Sequence, residues 1–152
     1  MRSSGVFVDA NLLVLLVAGN HDRSLIGRHR RLRTFSVEQY DSLRQLVDRF
    51  GKVLVTPNTL TEASNLLRLH GEPERSCLCE ELRDAIDKSE EVVVVSAVAA
   101  RNEHFVRLGL TDAALLELVK PDTPLLTVDL DLYLAASAVS PQAAFNFNHG
   151  LG

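Results

Sequence analysis

The stretch VFVDANLLVLLVAG, residues 6–19, decides the fold. Val6–Val8 is a short run of β-branched and aromatic residues that reads as a buried strand. Asn11–Val17 continues as an apolar helix, with Gly19 as its expected stop. A strand thus runs directly into a helix, and Asp9 stands at the joint.

The same alternation repeats outward along the chain. Ser36 opens an amphipathic helix whose Val37, Tyr40, Leu43, Leu46, Val47 and Phe50 recur at helical spacing, and Gly51 ends it. Lys52–Val55 reads as a second buried strand. Thr56 caps the next helix with Pro57 in its first position, Leu60, Ala63, Leu66 and Leu67 inward and Gly71 as its stop. Pro73–Lys88 is a further helix, with Leu78, Leu82, Ala85 and Ile86 inward. Glu91–Ser96 holds four consecutive valines, which predict a central strand. Ala97–Leu108 reads as a helix ended by Gly109, and Thr111 as the cap of a helix over Asp112–Val119. Pro124–Val128 is a strand, Leu130–Ser137 a short helix and Ala143–Phe147 a last strand. Only Asn20–Thr34, polar and rich in arginine, shows no period. This pattern predicts one α/β domain over residues 1–152, a three-layer α/β/α sandwich with a mostly parallel central sheet.

Composition excludes several classes of function. With 152 residues, of which 46% are hydrophobic and 24% charged, the chain can close a core and is not disordered. A formal charge of −4 argues against a basic nucleic-acid coat, and 5% aromatic residues with no Trp argue against a platform for stacking single strands. Two cysteines, Cys77 and Cys79, rule out a disulfide-framed scaffold; two apart on a helix, they point to nearly opposite sides and read as packing residues. The apolar run after Arg2 is shorter than the ~20 residues that span a bilayer and carries Asp9 and Asn11, so a cytoplasmic chain without a membrane segment is expected.

Four acids stand where α/β sheets place their ligands, beyond the carboxyl ends of strands. Asp9 follows the first strand and Asp129 the strand LLTVD; Asp112 lies in the first turn after Gly109, and Glu62 about a turn into the helix after the second strand. Each also has a plain structural reading: Asp9 and Asp129 as turn or cap residues, Asp112 as a first-turn acid, Glu62 as an acid whose stem packs on the core. Together they point elsewhere. Converging carboxylates repel unless a cation neutralises them, and oxygen ligands without His or Cys suit Mg²⁺ or Mn²⁺. Such a site supports metal-dependent hydrolysis of a phosphodiester by activated water.

The segments VFVDANLL, TPNTLTEASNLL, LGLTDAALLEL and LLTVDLDLYLAA, in this order over residues 6–136, resemble the PIN-domain family of metal-dependent ribonucleases, including its VapC-like members. The resemblance implies that Asp9, Glu62, Asp112 and Asp129 carry one or two Mg²⁺ or Mn²⁺ ions. It implies that Asn11 and Thr127 hold those carboxylates by hydrogen bonds, and that Asn65, one helical turn from Glu62, reaches the site. Asp131 follows Asp129 by two residues and competes for the fourth place; Asp129 is preferred because it ends the strand and keeps the Thr-x-Asp spacing. The resemblance further implies an endonuclease that leaves 5′-phosphate and 3′-hydroxyl ends, an antitoxin partner as in toxin–antitoxin pairs, and a homodimer. The chain departs from the common pattern in its long interval between Asp9 and Glu62 and in Ala10, where a hydroxyl residue is frequent.

Arg28, Arg30, Arg31 and Arg33, with His29, form the dense basic cluster and are the candidates for contacting RNA phosphates. Arg101 and His104 are expected on one helical face turned to solvent. His21, His70 and His149 are expected at the surface, and LLVLL and the valine run in the core. Two alternatives stand beside the ribonuclease: a non-catalytic RNA-binding or protein-interaction module on the same fold, and a phosphatase with an Asp nucleophile. The latter chemistry generally wants a second acid two residues on, where this chain has Asn11.

Overall fold

The computed structural model describes residues 4–28, 32 and 34–148. Arg30, Arg31 and Arg33, with His29 and His149, lie outside the described residues. Five strands, β1 (Val6–Val8), β2 (Val53–Val55), β3 (Glu90–Glu91), β4 (Leu125–Thr127) and β5 (Ala144–Asn146), form one sheet in the order β3-β2-β1-β4-β5. Every pairing is parallel. The helices are α1 (Ala10–His21), α2 (Val37–Phe50), α3 (Pro57–Leu67), α4 (Glu74–Lys88), α5 (Ser96–Ala99), α6 (Phe105–Leu108), α7 (Leu110–Leu118) and α8 (Leu130–Val139).

Alternation along the strands builds the three layers. Val6, Val8, Val55 and Leu126 turn to one face, where they meet α1 to α4. Phe7, Leu54 and Leu125 turn to the other, against Leu115, Leu116, Leu132 and Ala136 of α7 and α8. The sandwich read from the sequence is the architecture found. Helix α1 is buried on nearly all sides, between the sheet and α2, α3 and α4. It is also only 12 residues long, and among the described residues no helix is long and apolar enough to cross a membrane.

Several local expectations give way to tertiary contacts. Gly19 does not end α1, which runs on to His21. A Cβ at Gly19 would stand 2.3 Å from the Tyr40 ring, so its place is set by the approach of α2. The valine run is not a central strand, and only Val92 and Val94 of it pack, half-buried, against the core. Strand β3 is an edge strand of two residues, paired Leu54↔Glu90 and Val55↔Glu91. Its partner ends there, because Thr56 caps α3. Val92 still donates to the Val55 carbonyl (2.8 Å), but the following valines have no strand to pair with, and Val93 and Val95 are 69% and 66% exposed.

The single helix expected over 97–108 is two short ones, α5 and α6, separated by turns. Arg101 and His104 therefore sit in that connection and not on a helical face. Helix α3 ends at Leu67, before Gly71, and α4 begins at Glu74, one residue after Pro73. Beyond α3, His70 is buried, continuing the inward stripe of Ala63 and Leu67; its Nδ1 lies 3.1 Å from the Leu67 carbonyl. Cys77 and Cys79 are half-buried free thiols.

Candidate active site

The strand order reverses between β1 and β4, and such a reversal opens a crevice beyond the carboxyl ends of the two strands. Asp9 stands on one side of it. Its buried carboxylate caps α1, accepting the Leu12 amide on Oδ1 at 2.8 Å. On Oδ2 it accepts the Thr127 hydroxyl (2.5 Å) and the Val128 amide (3.0 Å) from the end of β4. Cap and site are thus one residue. Burial pushes the Asp9 carboxyl above the ordinary carboxylate range, against the pull of these three donors, and the nearby Asp129 charge adds to the rise.

Thr127 works in both directions. Its hydroxyl donates to Asp9 and accepts the Asp129 amide at 3.0 Å, tying the two acidic segments together. Asp129 caps α8, accepting the Leu132 amide on Oδ1 at 3.1 Å, and its Oδ2 receives no hydrogen bond from the described residues. Glu62 reaches in from α3 and accepts the Thr111 hydroxyl at 2.9 Å. This replaces the capping role expected of Thr111, since α7 begins on Gly109 with no side-chain cap. Gly109 has φ +92°, a conformation that favours glycine, and the Leu108–Gly109–Leu110 turn it shapes forms a wall of the crevice. The wall's only mark in the sequence is the glycine between two leucines just before Thr111 and Asp112.

These segments enclose a cavity of about 190 Å³ lined by Asp9, Glu62, Asp112 and Asp129, with Asn11 at its edge. Among the described residues, no Lys, Arg or His lines it. The half-buried Asp112 carboxyl is pushed up to about 7, chiefly by burial and then by the charges of Asp129, Glu62 and Asp9. Asp112 therefore feels the charge of the other three acids, as a member of a cation-binding set would. They line the cavity without closing into a cage: among the described residues no three acidic, His or Cys side chains stand at ready ligand spacing. Glu62 and Asp129 are solvent-exposed at the cavity, held there by Thr111 and by the Leu132 amide. An all-oxygen donor set with surplus negative charge, and no neutralising side chain among the described residues, fits a hard divalent cation.

The remaining candidates divide. Thr127 holds a carboxylate as the sequence suggested, whereas Asn11 lines the cavity without a hydrogen bond to any of the four acids. Asn65 is exposed and Asp131 lies outside the lining, 4.0 Å from Arg107. Asp129, not Asp131, faces the cavity. Arg28 belongs elsewhere, its guanidinium on Asp22 and the Ser24 carbonyl. In comparisons with known proteins, no family model and no curated protein matches the chain.

Proposed function

We propose that this chain is a divalent-cation-dependent ribonuclease of the PIN-domain type that hydrolyses RNA phosphodiester bonds. One observation carries the reading: four carboxylates from four separate segments share one small cavity at the strand-order reversal, and no basic side chain among the described residues lines it. The sandwich by itself argues for no activity, since such folds host many.

Asp9, Glu62, Asp112 and Asp129 would hold Mg²⁺ or Mn²⁺. When bound, the ion supplies charge neutralisation for in-line displacement at phosphorus and eases ionisation of water. Asp9 sets the geometry, because three donors fix its carboxylate and leave Oδ1 one free lone-pair direction. Thr127 keeps Asp129 in step with Asp9, and Thr111 orients Glu62. The Asn11 amide, at the cavity edge, is placed to donate to a phosphate oxygen. Water adds to phosphorus as the P–O3′ bond breaks and the proton passes to the leaving oxygen, giving a 5′-phosphate and a 3′-hydroxyl. The antitoxin partner and homodimer implied by the resemblance draw on no feature of this cavity.

The test is cleavage of a labelled RNA with Mn²⁺, together with calorimetric titration of Mn²⁺. Wild-type protein should cleave and bind the ion, and Asp9→Asn should do neither. Cleavage by Asp9→Asn at the wild-type rate would overturn the reading. RNA binding without carboxylate-dependent Mn²⁺ binding would instead favour a non-catalytic module.

A further inference from the structure

A second concavity, about 490 Å³ in volume, takes part of its lining from α8, which also contributes to the acidic cavity. Its lining includes Arg101, Asn102 and His104 from the connection between α5 and α6, Glu117 of α7, and Ala135 and Val139 of α8. On α8 the two hollows share one stripe: Leu132 lines the first, and Ala135 and Val139, at helical spacing from it, line the second.

Arg107 joins them. It precedes Leu108 of the acidic cavity, and its Nη2 lies 3.4 Å from Nδ1 of His104 in the second hollow. Its other nitrogen, Nη1, is 4.0 Å from Asp131, an exposed pair of the kind that contributes little. The guanidinium is therefore free to take a stronger partner. Arg101 is exposed, with no acidic partner within ion-pair distance among the described residues. Two acids temper the surface: Glu103, 3.2 Å from His104, and Glu117, which accepts the Asn102 amide at 2.7 Å.

We infer that this groove receives the stretch of single-stranded RNA next to the scissile phosphate, with Arg107 and Arg101 on successive phosphates and a base on the Ala135–Val139 floor. The inference rests on the ribonuclease reading above and adds the strand's path. A bare acidic cavity repels a polyanion, so a strand entering it needs cations beside it. Arg107 precedes the Leu108 wall of the cavity and Arg101 lines the second hollow, and an arginine plane also stacks on unpaired bases. The Asn102–Glu117 pair offers polar edges to a base resting on the floor.

The experiment measures fluorescence anisotropy of end-labelled oligoribonucleotides, one of about eight nucleotides and one dinucleotide, against the full chain in Ca²⁺ buffer. Arg101→Ala and Arg107→Ala should each weaken binding of the longer strand about tenfold. Each should also flatten the dependence of log affinity on log salt by about 0.7, the value for one phosphate contact on a single strand. Lys88→Ala on α4 is the control and should match wild type. Unchanged affinity in both arginine variants would overturn the inference, as would a shift of a monomer–dimer equilibrium in place of RNA affinity. Titration of Mn²⁺ into the wild-type chain reports separately on the acidic cavity. No ion binding there, with RNA affinity still lost in the arginine variants, would sink the nuclease reading and leave the groove standing.

Discussion

Replacing Asp112 by Asn should stabilise the ion-free protein at neutral pH while weakening its hold on Mn²⁺. The Asp112 carboxyl, at about 7 in the folded chain against 3.8 for an unperturbed Asp, takes up its proton more readily folded than unfolded. Between pH 4 and 7 the native state thus binds the extra proton, and stability falls as pH rises. The contribution is fully present below about pH 4 and lost as pH passes 7. The whole displacement corresponds to about 4 kcal/mol. Asp112 is only half-buried, so solvent screening reduces the effect on folding to about 1–2 kcal/mol. For a chain of this length that is a rise of roughly 3–6 °C in Tm for the variant at pH 8. The assay is thermal unfolding by circular dichroism in EDTA at pH 4 and pH 8. The variant should gain on wild type only at the higher pH. Millimolar Mn²⁺ should then raise the wild-type Tm more than that of the variant, since an ion bound to the native state stabilises by mass action. A variant less stable than wild type at pH 8, or a gap that ignores pH, would refute the charge-crowding argument.

Two further outcomes follow from single contacts. Thr127→Val removes a donor from the buried Asp9 carboxylate and should destabilise the fold by about 1–3 kcal/mol in urea titrations, with Mn²⁺ affinity falling roughly 10–100-fold. Gly19→Ala drives a methyl into the Tyr40 ring and should cost about 1–3 kcal/mol. Most of that loss should disappear in a Tyr40→Ala background, which a double-mutant cycle measures.

Layering and strand direction were legible because each is written in local pattern: β-branched triplets, glycine stops and capped helix starts. Ser36 with Gln39 forms the capping box that opens α2, and Thr56 with Pro57 opens α3. Asp9 and Asp129 were found because both sit where a strand becomes a helix. What local pattern could not carry was the partner across space. The valine run has the composition of a central strand, but β2 ends after two paired residues, opposite Glu90 and Glu91, before the valines begin. His70 has the composition of a surface residue but continues a buried stripe. Gly19 looks like a stop and is a point of contact. Thr111 looks like a cap and is the donor to Glu62, a link across 49 residues that no window reveals. Asn65 shares a helix with Glu62, yet its side chain lies off the cavity.

The two walls of the acidic cavity differ in how they are anchored. Asp9 opens a helix sealed inside the molecule, so amide hydrogens on that side should exchange only when the whole chain opens. The opposite wall ends in the four-residue helix α6, whose Val106 is 94% exposed and which buries no side chain fully. One side of the cleft is thus a fixed anvil. Accommodation of differently shaped strands falls to the loosely rooted side, which can yield without disturbing the carboxylate at its heart.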